Sequence, residues 1–270
     1  MLIIALAACN TNDKYSPDAQ NLKEGPFVEG VKDVDVLNTY RGIVGFERMQ
    51  DFYDTIQKGI ASDIRIVHYT IEGDPIVTDL TFNGESLEVE HDSTRDSYGS
   101  GEITTNITTN SCADMIVEAT PTNLSYIAID CSDIPNGEDE VLQINFNMSE
   151  QDLFELEMKY GTELENEINT VTNKAIKEIS ATETQVMSDF DLSASVMQEV
   201  YKRLVFANFL TEKDLEATCK NGDAMNYNLT VHLNGGQAEY RWTECDQGLD
   251  GATMTDIAEY IIEESEKVTK

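Results

Sequence analysis

Residues 76–91 read as two strands set back to back. Ile76, Thr78, Leu80 and Phe82 alternate with Val77, Asp79 and Thr81, and Leu87, Val89 and His91 alternate with Glu88 and Glu90. A period of two puts each set on one face of a sheet. Between the runs, Asn83-Gly84 is the dipeptide that supplies the positive φ angles of a type I′ turn. A tight hairpin commits its neighbours to antiparallel pairing, which argues against a parallel sheet of repeated β-α-β units. Upstream, Phe46, Met49, Tyr53, Ile56 and Ile60 recur at helical spacing, with Gly59 as a stop. Residues 63–71 are β-rich and lead into the turn Glu72-Gly73-Asp74-Pro75.

The pattern continues more weakly. Residues 92–101 form a polar, glycine-containing loop, and strands are expected near 103–108, 115–119, 124–130 and 141–148. From Ser149 a different regime is expected. Leu153, Leu156, Tyr160, Leu164, Ile168, Val171, Ala175 and Ile179 are spaced by three or four, which predicts a long amphipathic helix, either continuous or broken at Gly161. A second helix is expected over 193–210. Tyr227, Leu229, Val231 and Leu233 then alternate up to Asn234-Gly235-Gly236, and Ala238, Tyr240 and Trp242 return on the same side. A last helix is expected over 253–268. The predicted class is α+β, with two small domains, each of helices packed on an antiparallel sheet, at 36–148 and 149–270.

Five cysteines stand at 9, 112, 131, 219 and 245. The first closes the run Leu6-Ala7-Ala8-Cys9, which resembles the lipobox of bacterial lipoproteins. The resemblance implies that Cys9 is acylated and becomes the N-terminus, with residues 1–8 as a shortened signal peptide and 9–35 as a polar tether. It also implies an anchor on the outer face of the cytoplasmic membrane. Four cysteines remain and allow three pairings. Local pairs, Cys112 with Cys131 and Cys219 with Cys245, are expected if the halves are separate domains. Each would stabilise by roughly 3 kcal/mol through loop closure.

The segment Arg65-Ile-Val-His-Tyr-Thr-Ile-Glu72-Gly-Asp-Pro75 with the hairpin through Gly84, followed by Thr94-Arg95-Asp96-Ser-Tyr98-Gly99, resembles an uncharacterised domain family. That family occurs in secreted lipoproteins of Gram-positive, spore-forming bacteria and is known only as a domain of unknown function. The resemblance spans roughly 36–131. It implies an extracellular, disulfide-bonded lipoprotein and carries no catalytic residues over.

Charge narrows the partners. Eighteen Lys and Arg stand against 51 Asp and Glu, a formal charge of −33. Nucleic-acid binding needs clustered cations and is not expected. The partners expected are the membrane, through lipid on Cys9, and an envelope protein or peptide.

No motif assembles a catalytic centre. His68, His91 and His232 lack the spacing of a zinc site, so neither metal nor cofactor is expected. His68 reads as a strand histidine, and His91 and His232 as surface groups. Tyr98-Gly99-Ser100-Gly101 is not a nucleophile elbow. Glu138-Asp139-Glu140 reads as a solvated turn. With so many carboxylates, nominating a glycosidase pair has no specificity. Tyr227, Tyr240 and Trp242 read as core rather than as a recognition platform. The residues expected to meet a partner are Asp74, in the turn before Pro75, and Arg95, Asp96 and Tyr98, in the loop 92–101. The function expected is a non-enzymatic binding module. The alternatives are a solute-binding lipoprotein of a transporter, which should be built of parallel repeats around a cleft, and an envelope hydrolase.

Overall fold

The computed structural model describes residues 26–39, 42–98, 106–132, 134–220 and 223–268. Cys9 and the proposed signal and lipid-bearing residues lie outside these. The described residues form mixed α and largely antiparallel β structure in three sheets.

The first sheet holds β1 (Val36–Thr39), β2 (Gly42–Val44), β3 (Ser62–Tyr69), β4 (Pro75–Phe82), β5 (Leu87–Asp92) and β6 (Ile107–Cys112), in the order β2-β1-β3-β4-β5-β6. Every pairing in it is antiparallel except β1 with β3. Helix α1 (Phe46–Ile56) forms the crossover between that parallel pair and buries Met49, Phe52 and Ile56. It starts at Gly45, φ 76°, where a side chain would run into the Asp35 carbonyl, so glycine is required there.

The predicted β4–β5 hairpin is present, with Phe82 opposite Leu87. Its turn is not type I′, because Gly84 has positive φ and Asn83 does not. Asn83 instead accepts from the amides of Glu85 and Ser86 through Oδ1, an Asx-type cap on a four-residue loop. The two-residue type I′ geometry appears at Asn234-Gly235, where φ is 49° and 82°.

The second sheet is a meander of β7 (Asp114–Ala119), β8 (Asn123–Ile129) and β9 (Glu138–Asn145). It packs face to face on the first sheet, joining Leu80, Leu87 and Val89 to Tyr126, Leu142 and Ile144 in one core. Strand β9 crosses the strands beneath it. Asp139 meets β5 through His91, the Val141 carbonyl meets β3 through His68, and the Gln143 carbonyl meets β1 through Asn38. Four residues of strand advance about 13 Å, and three strand spacings in the sheet below cover about 14 Å. The two sheets therefore pack nearly orthogonally.

Residues 26–35, read from sequence as the end of the tether, are packed. Val28 and Val34, 2% and 3% exposed, close the opposite face of the first sheet over Leu37, Val67 and Val77. Arg65 ties this strap down, donating to the Lys32 carbonyl and, through two nitrogens, to Asp79.

The third sheet has the order β13-β12-β11-β10-β14-β15 and is antiparallel throughout. Its members are β10 (Phe154–Gly161), β11 (Asn166–Asn169), β12 (Lys174–Ser180), β13 (Glu183–Ser188), β14 (Asn226–Leu233) and β15 (Gly236–Thr243). Helices α2 (Ala194–Phe206) and α3 (Leu249–Val268) cover one face. The long helix expected over 153–179 does not exist. Three strands, β10 to β12, occupy that stretch, and three members of the proposed stripe are exposed: Leu153 at 40%, Val171 at 42% and Ile179 at 53%. The governing period was two: Leu156, Met158 and Tyr160 are buried while Glu155, Glu157 and Lys159 point outward. Gly161, Leu164 and Asn173 take positive φ at the reversals, which no helix of this length tolerates.

Helix α2 belongs to both cores. Ser193 caps it by accepting from the Val196 amide. Tyr201 and Val205 enter the first core, and Met197, Val200 and Leu204 enter the second. The Gln198 side chain accepts from the Met148 amide and donates to the Phe146 carbonyl, pinning the connection between the halves. Phe206 lies 4.8 Å from Phe46 and 5.6 Å from Phe146, ring centre to ring centre. Among the described residues no helix is long and apolar enough to cross a membrane.

Candidate functional site

Orthogonal packing leaves β9 with an unpaired edge over the first sheet. Val141 sits in a β-bulge there, since Tyr126 pairs with Leu142 and Ile127 with Glu140. An edge carbonyl enclosed between two sheets needs a donor. Asn38 and His68 supply them, at 2.8 Å to Gln143 and 3.1 Å to Val141.

Further along the same seam, His91 lies between Thr78 and Asp139. Its Nε2 is 3.0 Å from both carboxylate oxygens, and its Nδ1 is 3.0 Å from the Thr78 hydroxyl. With Asp139 ionised, Nε2 donates to it, while Nδ1 and the Thr78 hydroxyl share the second bond. Asn110 donates a third bond to Asp139 at 3.0 Å. Burial alone would push the Asp139 carboxyl up, but the His91 hydrogen bond and charge, with Asn110, hold it below the ordinary value. His68 is pushed down, mainly by burial and in part by nearby His91, against the opposing pull of the Val141 carbonyl. Its long 3.4 Å contact from the Asn38 amide to Nδ1 suits the neutral ring.

Hydroxyl, imidazole and carboxylate in line are the components of a nucleophilic triad. Here Thr78 is 1% exposed, so its hydroxyl faces the interior rather than a substrate. The array clamps one sheet to the other. His91, read from sequence as a surface group, and Asp139, read as part of a solvated turn, are corrected accordingly: both are inside the seam. Thr78, Asn38 and Asn110 had no signal of their own, being single polar residues in strands. His68 is the strand histidine expected.

His232 is on the outer face of the third sheet, as expected. It pairs at 2.8 Å with Glu157 on β10 rather than with Glu239 or Arg241, which bond to each other. Tyr227, Tyr240 and Trp242 are core, with Tyr227 and Trp242 stacked at 5.0 Å. Among the described residues no group of three or more His, Cys, Asp or Glu is placed to hold a metal ion.

The structure places the four residues proposed for recognition at one end of the first sheet. Asp74 accepts from the Ser97 amide at 2.6 Å, joining the β3–β4 turn to the loop after β5. Asp92 gathers the Thr94 amide and hydroxyl and the Arg95 guanidinium, and Asp96 accepts from the Tyr98 amide. These bonds hold Asp92 below the usual carboxylate range, the Thr94 hydroxyl contributing most. Arg95 is thereby committed to Asp92, while Tyr98, 66% exposed, and Ile71, 83% exposed, project into solvent. Ile71 was not among the residues nominated.

Both local cystines are formed, Cys112 with Cys131 and Cys219 with Cys245. The first links the end of β6 to the second residue after β8. The second ties the segment following α2 to the end of β15.

No curated protein matches the chain, and no solved structure does. Residues 33–126, from the strap through most of β8, match a protein family. That family, to which this part of the chain is similar, is described as Domain of unknown function (DUF4362).

Proposed function

We propose that this protein is a non-enzymatic binding module, held outside the cytoplasmic membrane by a lipid on Cys9. The carrying observation is the combination of Leu6-Ala7-Ala8-Cys9 with two cystines further along the chain. Cystines persist in oxidising surroundings, and the lipobox-like run supplies the anchor that would keep an exported chain at the cell. The binding face is the end of the first sheet bearing Ile71, Asp74, Asp96 and Tyr98. Its loops are braced by side-chain bonds, so little ordering cost attends recognition there. The inward-facing Thr78 hydroxyl supports a structural rather than a catalytic role for the histidine array.

Growth of the native bacterium with an alkyne-tagged fatty acid tests the anchor. The wild-type chain should take up label and stay with the membrane, and Cys9→Ala should be unlabelled and released. An unlabelled wild type, or cystines found reduced in the cell, would overturn the reading.

A further inference from the structure

Strand β15 ends the third sheet, and its outward edge is only partly used. Thr243 donates its amide away from β14, to the Glu216 carbonyl at 3.1 Å. Outward and inward peptide groups alternate along an antiparallel strand, so those of Gln237, Glu239 and Arg241 also face away from β14. Among the described residues none of these three has a backbone partner beyond the sheet. The segment after α2 therefore begins to pair with this edge at Glu216 and leaves it over the rest. Between them lies a groove of about 590 Å³, with Phe209, Leu210 and Leu215 on one wall and Ala238, Glu239 and Arg241 on the other. That volume is within the range of ligand-binding clefts.

We propose that this groove receives an extended peptide of a protein partner, which adds to β15 as a seventh strand. The unpaired amides and carbonyls select a peptide backbone, the one ligand that matches them at strand spacing. The chain's own Thr243–Glu216 bond shows that the edge accepts such a partner at one end. Side-chain chemistry follows from the walls. Leu210, Leu215 and Ala238 pack against the helix-covered core while remaining half-buried, so they favour an apolar residue on that side. Glu239 and Arg241 stand exposed on the other side and favour polar neighbours. The ligand is thus a strand with alternating apolar and polar residues. Lys213 adds no free charge, since it is buried against Asp250 at 3.3 Å. The proposal rests on the reading of the protein as a binding module, but not on its lipid anchor.

The test uses the full chain with both cystines oxidised. A displayed library of short peptides with alternating apolar and polar positions is selected against it. Bound peptides should slow amide exchange at Glu239 and Arg241. They should lose about tenfold or more in affinity for Glu239→Pro, which deletes an outward N–H that the β14 ladder does not use, and keep affinity for Glu239→Gln. If Glu239→Pro fails to fold, methylation of the peptide amides that face β15 should abolish binding, and methylation of the alternate amides should not. An empty selection, equal binding to Glu239→Pro, indifference to which amides are methylated, or protection at another surface would overturn the proposal. So would a dimer of the chain through β15, which would assign the edge to a second copy. A silent edge leaves fatty-acid labelling untouched, and loss of labelling leaves the edge untouched, so the two failures are distinct.

Discussion

The two six-stranded sheets of this chain seal their interiors by opposite means. The first is covered on one face by another sheet crossing it almost at right angles, with α1, and on the other by the strap of residues 26–35. The third is covered on one face by α2 and α3, whose own backbone groups are satisfied within the helices. A strand used as a lid brings an unpaired edge into the interior, and a helix does not. That is why Asn38 and His68 reach the carbonyls of β9, beside the Thr78, His91, Asn110 and Asp139 side chains, while the interior beneath α2 and α3 is almost wholly apolar. A histidine bonded to a carboxylate occurs in both halves. In the first it closes a seam, and in the second, at His232 and Glu157, it decorates an open face.

The contrast can be broken most severely at the joint. Phe146→Ala should cost about 3–5 kcal/mol in chemical unfolding, because it empties a site shared by the first core and α2. A loss under 1 kcal/mol, or two separate transitions in the wild type, would mean the halves do not depend on each other. Removing the cystines comes next. Replacing Cys112 and Cys131 together, or Cys219 and Cys245 together, should cost roughly 3 kcal/mol by loop closure, over separations of 19 and 26 residues. The first pair should cost the more, since Cys112 and Cys131 are also buried, at 2% and 6% exposed. Equal losses in calorimetry would show that loop closure alone matters.

Smaller effects separate the histidines. Asp139→Ala strands His91 and Asn110 in the seam and should cost about 1–3 kcal/mol. The pH dependence carries a definite sign. His68 titrates below its ordinary 6.5 when folded, so the unfolded chain binds the proton first as pH falls, and stability declines below about that value. Asp139 is depressed below 3.8, so its contribution is present above that pH and lost in stronger acid. Acid titration of His68→Asn should therefore lack the first decline and keep the second, and an unchanged curve would remove His68 from the account. The smallest effect belongs to His232→Ala, expected under about 1 kcal/mol because its partner Glu157 is 41% exposed on its side chain.

What could be read from sequence followed the same division. The 76–91 hairpin and the hairpin at Asn234-Gly235 carried both a period and a turn signal, the helix from 46 a period and a glycine stop, and they formed, as did the helices expected over 193–210 and 253–268. Residues 153–180 carried two competing periods. Spacing of three or four was counted across residues that include Gly161 and Asn173, whereas the alternation of Leu156, Met158 and Tyr160 was local and decided the outcome. The seam was illegible for another reason. His91 and Asp139 are 48 positions apart on different sheets, and only the crossing of β9 brings them together. The β15 groove was equally hidden, because Thr211-Glu-Lys-Asp-Leu215-Glu216 has no periodicity to mark it as a wall.

Strand β9 also lies outside the stretch that matches a family, although it covers that stretch's sheet. The family match stops at Tyr126, inside β8, before Cys131 and before any residue of β9. A fragment cut at that limit would expose Leu80, Leu87 and Val89, leave Cys112 unpaired, and strip His68 and Asn38 of their acceptors. A chain holding the matched stretch alone would have to cover that sheet by other means.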